Sequence, residues 1–464
     1  MIETINANCL DVLKETAANS QDLIFCDPPY ALGSDVIIRK DGKPDYRKAV
    51  DFMSKWQQPD GYFWEHWFNE AFRVLKYGGR VVMFGMDRQM MLPKYYACFA
   101  GFAEQQSLYW YTISGFPKSA DLAKNIDKCL GVGVKEYGGI VTAGHDGRKA
   151  EMRNPTNSDH EKHTPSTDLA QKYNGMKYSI APLKQTNETI LVFQKPYKTG
   201  SCLHDTLAYE NGDDTCMCGA VDVEGNRCET EDNLNGGAYC GNSEQQKNKV
   251  YGKYKMLQPQ DFEQPTGRYP AQTYCDDEAA KVLDRQSGIC KSGGGVKLTG
   301  AGSGKSNFHK NTIQGKEWTP DTGGCSRILH RCNYDLNDYD IYMYCPKVSN
   351  KERNEGCEAL NKKYLNTMND GIGNRQHNES EPNAYQKNHH PTVKPISLLK
   401  KIIQLFKTPN PLHVLDPFMG SGSMGIACIE LGVSYTGVEL DTEYYTIAQT
   451  RLAHHNTKNN SKLF

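Results

Sequence analysis

His413-Val414-Leu415-Asp416-Pro417-Phe418-Met419-Gly420-Ser421-Gly422-Ser423 is the stretch that decides the fold. A short apolar run, His413 to Leu415, reads as a strand. It meets an acid and a proline, passes a glycine-rich turn, and enters Met424 to Leu431, which reads as a helix. Ser434 to Val438 reads as the next strand, ending at Glu439, and Tyr444 to Leu452 as a closing helix. Strand, glycine turn, helix, strand, acid is a βαβ unit of the doubly wound type. Gly420 and Gly422 allow a tight backbone turn beneath a ligand, where a Cβ would collide. Glu439 follows about twenty residues on, where an acid can accept from both ribose hydroxyls. The pattern predicts an adenosine-containing cofactor held by Asp416, Phe418, Gly420, Ser421, Gly422, Ser423 and Glu439.

The start of the chain carries the second pattern. Asp22 to Cys26 reads as a strand closed by Asp27-Pro28-Pro29-Tyr30, because proline cannot continue a central strand. Two prolines stiffen this loop. The Asp27 carboxylate and the Pro28 carbonyl can both accept hydrogen bonds, which suits an exocyclic amine, and Tyr30 offers a flat face for a base. Residues 62–77 predict a helix with Gly78-Gly79 as its stop, then Arg80 to Gly85 a buried strand. Thr189 to Phe193, Tyr339 to Tyr344 and the helix Ile396 to Phe406 extend the α/β pattern.

The charge balance is even, 54 Lys+Arg against 55 Asp+Glu over 464 residues. A net charge of -1 excludes a protein held to nucleic acid by bulk charge, but leaves room for a local basic groove. No apolar run reaches the ~20 residues of a membrane span. The N-terminus carries no basic-then-apolar leader, so the sixteen cysteines are expected mostly as free thiols in a reducing cytoplasm.

The Asp27–Tyr30 loop and the glycine turn together resemble the amino-methylating DNA methyltransferases, which use S-adenosylmethionine to make N6-methyladenine or N4-methylcytosine. The order, proline loop first and cofactor turn last, is similar to the circularly permuted "beta" group. It differs from the protein-glutamine and ribosomal-RNA methyltransferases, whose cofactor motif comes first. Ala7 to Leu13, Gly115 to Ser119 with Asn125 to Lys128, Gly267 to Ala271, Leu283 to Gln286 and His390-Pro391-Thr392-Val393-Lys394-Pro395 are further similar stretches. They resemble phage and bacterial orphan members. The resemblance implies a Rossmann-like, doubly wound methyltransferase sheet, circularly permuted. Residues 1–199 would be the catalytic half, 200–330 an inserted, loop-rich target-recognition region, and 331–464 the cofactor half.

The resemblance also implies a reaction. Asp27, Pro28, Pro29 and Tyr30 would hold a base flipped from duplex DNA, with adenine N6 as target. N4-cytosine methylation, a catalytically weak DNA-binding protein, and an RNA or other amine substrate are the alternatives. Asn8, Cys9, Asp27, His390, Thr392 and Lys394 would join the glycine turn around S-adenosyl-L-methionine, Thr392 and Lys394 near its methionine end. Asn8 stands where family members usually carry Asp at the cofactor's adenine; Asn both donates and accepts. The partner is double-stranded DNA, the protein a monomer or homodimer, and the setting the cytoplasm, a host's if phage-encoded. No metal is expected. Cys216, Cys218, Cys228 and Cys240 crowd together without paired C-x2-C knuckles. Gly300 to Ser306 misses the phosphate-loop spacing, because position 299 is Thr. Its lysine and those nearby suit DNA phosphates or simply solvent.

Overall fold

The computed structural model describes residues 1–28, 63–85, 90–111, 118–132, 164–183, 185–228, 265–275, 277–291, 325–328, 348–364 and 385–461, with short strands at 37–38, 44–45, 247–248, 252–253, 322–323 and 330–331. Pro29, Tyr30, Cys240, Gly300 to Ser306 and Tyr339 to Tyr344 lie outside the described residues.

One unit comprises Met1–Thr112, Glu188–Asn361 and Thr392–Phe464. Its strands are β1 (Ile2–Asn6), β2 (Gln21–Cys26), β3 (Leu75–Gly85), β4 (Ala103–Glu104), β5 (Leu108–Tyr111), β6 (Asn187–Gln194), β7 (Thr273–Cys275), β8 (His330–Arg331), β9 (His413–Asp416) and β10 (Ser434–Glu439). They form a sheet in the order β1-β10-β9-β2-β3-β6-β5-β7-β8, with β4 on β6. From β1 to β3 every pairing is parallel, and β6 then runs antiparallel to β3. The last strands of the chain thus sit beside the first. The mixed α/β, mostly parallel sheet predicted from sequence is present.

Alternation along the strands divides the core into two layers. Leu23, Phe25, Val82, Phe84, Ile190, Val192 and Val414 face helices α4 (Ile396–Phe406) and α5 (Ser423–Leu431). Ile24, Val81, Met83, Leu191, Phe193 and Leu415 face α1 (Cys9–Glu15), α2 (Phe63–Val74) and α3 (Met91–Phe99). Each fully buried Phe or Leu contributes roughly 1.5–3 kcal/mol, which makes the register hard to slip.

Three sequence expectations need correction. Gly78-Gly79 do not separate α2 from a strand starting at Arg80: β3 begins at Leu75, directly after α2. Gly78, at φ +85°, lies where the register against β2 jumps, from Gln21 opposite Leu75 to Leu23 opposite Arg80. The glycines therefore shape an irregularity within a strand. The closing helix, α6, runs Thr442–Ser461, beyond Leu452, because its far half is polar and gives no apolar stripe. The expected loop-rich stretch after residue 200 includes helices Cys202–Glu210 and Asp277–Ser287. In the first of these, Leu203 and Leu207 are exposed while Asp205 is buried. Asp205 accepts from the backbone N–H of Lys198 and Thr199, so the apolar period is inverted. Residues 273–275 and 330–331 belong to the main sheet.

The second unit, Ile113–Asn187 with Lys362–Pro391, pairs Lys118–Asp121 with Lys177–Ala181 in antiparallel fashion. Its helix Leu122–Cys129 buries Asp127. That carboxylate accepts from Ser166 N, Thr167 N and Thr167 Oγ1 at 2.8, 3.1 and 2.7 Å.

Candidate functional site

Parallel strands deliver their carboxyl ends to one edge, where open α/β sheets bind ligands. Leu415 lies opposite Ile24, Asp416 opposite Gly437 and Asn6 opposite Glu439. That register lines up Ala7, Glu439, Asp416 and Asp27 along the edge.

Asp416 is 3% exposed. It accepts from Phe418 N at 3.1 Å and from the buried Tyr435 hydroxyl at 3.2 Å. Burial pushes its carboxyl up to about 8, the two hydrogen bonds opposing. Glu439 accepts from Gly420 N at 2.8 Å and Asp441 N at 2.9 Å, tying the glycine turn to the strand end. Burial raises it to about 7 against those donors. Burial outweighs the donors on both acids, so a further hydroxyl or ammonium donor from a ligand would favour their charge.

Gly420 and Gly422 have φ of +55° and +80°, the left-handed region foreseen for a tight turn. At Gly422 the turn packs closely on α6. A Cβ there would stand 3.1 Å from Ala448 Cβ and 3.2 Å from Ala448 Cα. Arg451, one turn on in α6, holds the turn from beneath. Its Nη1 donates to Ser421 O at 2.6 Å, Ser421 Oγ at 3.1 Å and Ser423 Oγ at 3.2 Å. Its Nη2 donates to Glu352 O at 3.3 Å. Phe418 stacks on Trp67 with centroids 6.1 Å apart, which couples the turn to α2.

Asn8 caps α1: its Oδ1 accepts from Leu10 N at 2.9 Å. The neighbouring Ala7 N donates to Glu439 O at 3.1 Å, so the cap sits beside the acid. Cys9 is buried, which pushes its thiol up to about 12 and makes it a packing residue with no nucleophilic character.

Asp27 follows β2 and receives a hydrogen bond from Lys394 Nζ at 2.6 Å. The same ammonium lies 3.6 Å from Glu188 Oε2 and 4.8 Å over the Phe84 ring. Burial opposes the Lys394 charge, but Asp27 and Glu188 outweigh it and raise the ammonium above the usual lysine range. Glu188 heads β6, where Thr189 lies opposite Gly85, so an antiparallel strand brings its start to the edge where parallel strands end. Pro28 is buried and Thr392 half-buried. His390 belongs to the second unit, where its N–H donates to Asn388 Oδ1 at 3.1 Å.

The tertiary structure thus brings Asn8, Asp27, Lys394, Asp416, Phe418, Gly420 to Ser423 and Glu439 into one unit from opposite ends of the chain. Glu188, Tyr435 and Arg451 were not foreseen. Glu188 had one sequence signal, a lone acid ahead of the apolar run Ile190 to Phe193. Arg451 had none, since an arginine on a polar helix reads as solvated. Cys216, Cys218 and Cys228 are not joined in disulfides. Among the described residues no three His, Cys, Asp or Glu side chains form a metal-holding group. None of the described helices is long and apolar enough to cross a membrane.

A DNA methylase family profile matches residues 21–450. The chain is 48% identical over 65 residues to the putative methylase YubD of Escherichia coli K12, covering 14% of this chain and 28% of that one. It is 43% identical over 63 residues to the DNA adenine methyltransferase YhdJ of the same organism, 14% of this chain and 21% of that one. The match thus spans about a quarter of these relatives' own length. Among solved structures, a putative DNA modification methylase from Thermus thermophilus, complexed with S-adenosyl-L-methionine, aligns at 14% identity and a TM-score of 0.33. The alignment covers 98% of this chain and 95% of that one.

Proposed function

The chain belongs to the N6/N4 DNA methylase family, and we propose that it transfers a methyl group to adenine N6 in duplex DNA. The observation that carries this reading is the meeting of Asp27 with the Asp416–Glu439 turn on the carboxyl edge of one parallel sheet. The order of its motifs along the chain supports the permuted arrangement, with residues 200–330 as target-recognition region. The similarity to a DNA adenine methyltransferase supports adenine.

S-adenosyl-L-methionine supplies an electrophilic methyl group on a sulfonium. The buried carboxyls of Asp416 and Glu439 fit its hydroxyl and ammonium groups, and the positive-φ turn at Gly420 and Gly422 fits a backbone that passes close to a ligand. Phe418 and the Asn8 cap flank that turn. Thr392 and Lys394 lie towards the methionine end, with His390 on the same segment of chain.

The target amine is a weak nucleophile, because its lone pair is delocalised into the ring. Asp27 and the Pro28 carbonyl accept its two N–H donors and turn the lone pair out of conjugation. This is orientation and electrostatics, with no covalent enzyme intermediate. The base is unreachable inside a duplex and is flipped, with Tyr30 as its stacking partner.

The test is to incubate the protein with unmethylated duplex DNA and S-adenosyl-L-methionine, digest the DNA, and identify nucleosides by mass spectrometry. N6-methyladenine, absent with Asp27→Ala although the cofactor still binds, is the expected result. N4-methylcytosine overturns the base assignment. Methylation of RNA in competition with duplex DNA overturns the substrate. Normal turnover by Asp27→Ala overturns the site.

A further inference from the structure

Lys394, placed above towards the methionine end of the cofactor, forms with Glu188 and Asp27 an ion-paired group that the proposed reaction leaves unexplained. Lys394 Nζ touches Asp27 Oδ2 at 2.6 Å and approaches Glu188 Oε2 at 3.6 Å. Its side chain is 9% exposed, against 18% for Asp27 and 25% for Glu188. Glu188 Oε2 is itself buried and makes no hydrogen bond. A buried acceptor left without a donor is expensive, of order 1–3 kcal/mol, unless it is needed electrostatically. Here the nearest cation is the ammonium that also holds Asp27. The Phe84 ring centroid lies 4.8 Å from that ammonium.

We infer that Lys394 is a positioning residue for Asp27, and that Glu188 is the second anchor that keeps its ammonium in place. The inference rests on the methyltransferase reading and deepens it. A carboxylate on the loop after a strand has rotational freedom that its neighbouring proline does not remove. A buried ammonium bonded to one oxygen fixes the plane of the carboxylate before the target amine arrives. With Asp27 alone, the flexible four-carbon stem of Lys394 could follow the carboxylate as it turned. A second carboxylate from β6, on a different element, prevents that. Three charged groups carry a net negative charge, which also suits an edge where a sulfonium approaches. Asp416 and the buried thiol of Cys26 also feel the Asp27 charge.

The test compares Lys394→Met, Lys394→Arg, Glu188→Gln and the Lys394→Met/Glu188→Gln pair with the wild type. Four quantities are read: kcat and KM on unmethylated duplex DNA, the S-adenosyl-L-methionine Kd by calorimetry, and the melting temperature. Lys394→Met is expected to lower kcat about a hundredfold, the effect of misplacing a group by an ångström. Its cofactor Kd should stay within about threefold of wild type. Lys394→Arg should recover part of the loss, since a cation near Asp27 is restored. Glu188→Gln should lower kcat about tenfold with KM little changed. The double variant should be no worse than Lys394→Met, because Glu188 acts through the lysine. A cofactor Kd that rises as far as kcat falls would make Lys394 a cofactor ligand and overturn the inference. Losses that multiply in the double variant, or an unchanged kcat in Glu188→Gln, would overturn it too. If Lys394→Met fails to fold, the arginine and glutamine variants decide. A wild type that binds the cofactor and methylates nothing sinks the methyltransferase reading itself. A wild type that methylates while the variants depart from this pattern sinks only the inference.

Discussion

Replacing Asp416 by Asn should make the protein more stable, and by an amount that depends on pH. Burial holds this carboxyl at about 8 in the folded chain, against 3.8 as its ordinary value. The fold therefore binds the proton more tightly than the unfolded chain does. The sign follows from linkage: stability from this group is full below its unfolded value and is lost as pH rises through the folded one. At about pH 6 the folded carboxyl is still protonated while the unfolded one is ionised, and at ~1.4 kcal/mol per pH unit the wild type has lost about 3 kcal/mol. Asn mimics the protonated acid at every pH. Its carbonyl can accept from Phe418 N, and its amide can donate to the Tyr435 hydroxyl, which rotates to accept. Urea unfolding followed by tryptophan fluorescence should find the two proteins alike near pH 4. The Asn variant should lead by about 3 kcal/mol near pH 6. Glu439, at about 7, is still largely protonated near pH 6 in both proteins. Stability curves that run parallel from pH 4 to pH 8 would refute a protonated Asp416. Above about pH 8, where the wild-type carboxyl is ionised, the Asn variant should bind S-adenosyl-L-methionine more weakly, since its acceptor carries no charge.

Three other variants test the glycine turn and the proline loop. Gly422→Ala combines a left-handed backbone with a Cβ against Ala448, and should lower stability by about 2–4 kcal/mol in urea. An unchanged unfolding midpoint would show that the turn can move away from α6. Arg451→Met removes the charged donors beneath the glycine turn. It should lower stability by about 3 kcal/mol and raise the cofactor Kd, and calorimetry giving a wild-type Kd would contradict its supporting role. Tyr30→Ala should lose about tenfold to a hundredfold in activity, with Phe and Trp retaining part of it. Equal activity in all three would argue against stacking.

The sequence by itself determined the order of the elements and the chemistry at two of their ends. A period of two or of three to four residues, glycines after Met419 and prolines after Asp27 are local signals, so the strands β2, β6, β9 and β10, the helices α4 and α5, and both motifs could be read directly. Tertiary structure decided what those motifs do to each other. The pairing of β9 on β2 brings the strand ends that carry Asp416 and Asp27 to the same edge, and no local rule fixes which strand pairs with which. Gly422 is glycine because α6 crosses there, a packing constraint supplied by Ala448 from the next helix. Lys394, Glu188 and Arg451 have their meaning from partners distant in sequence, and a charged side chain reads as solvated until the fold buries it. The helix Cys202–Glu210 stayed unread for the same reason: its Asp205 points inward and its leucines outward, so hydrogen bonds, not apolar burial, hold its start in place.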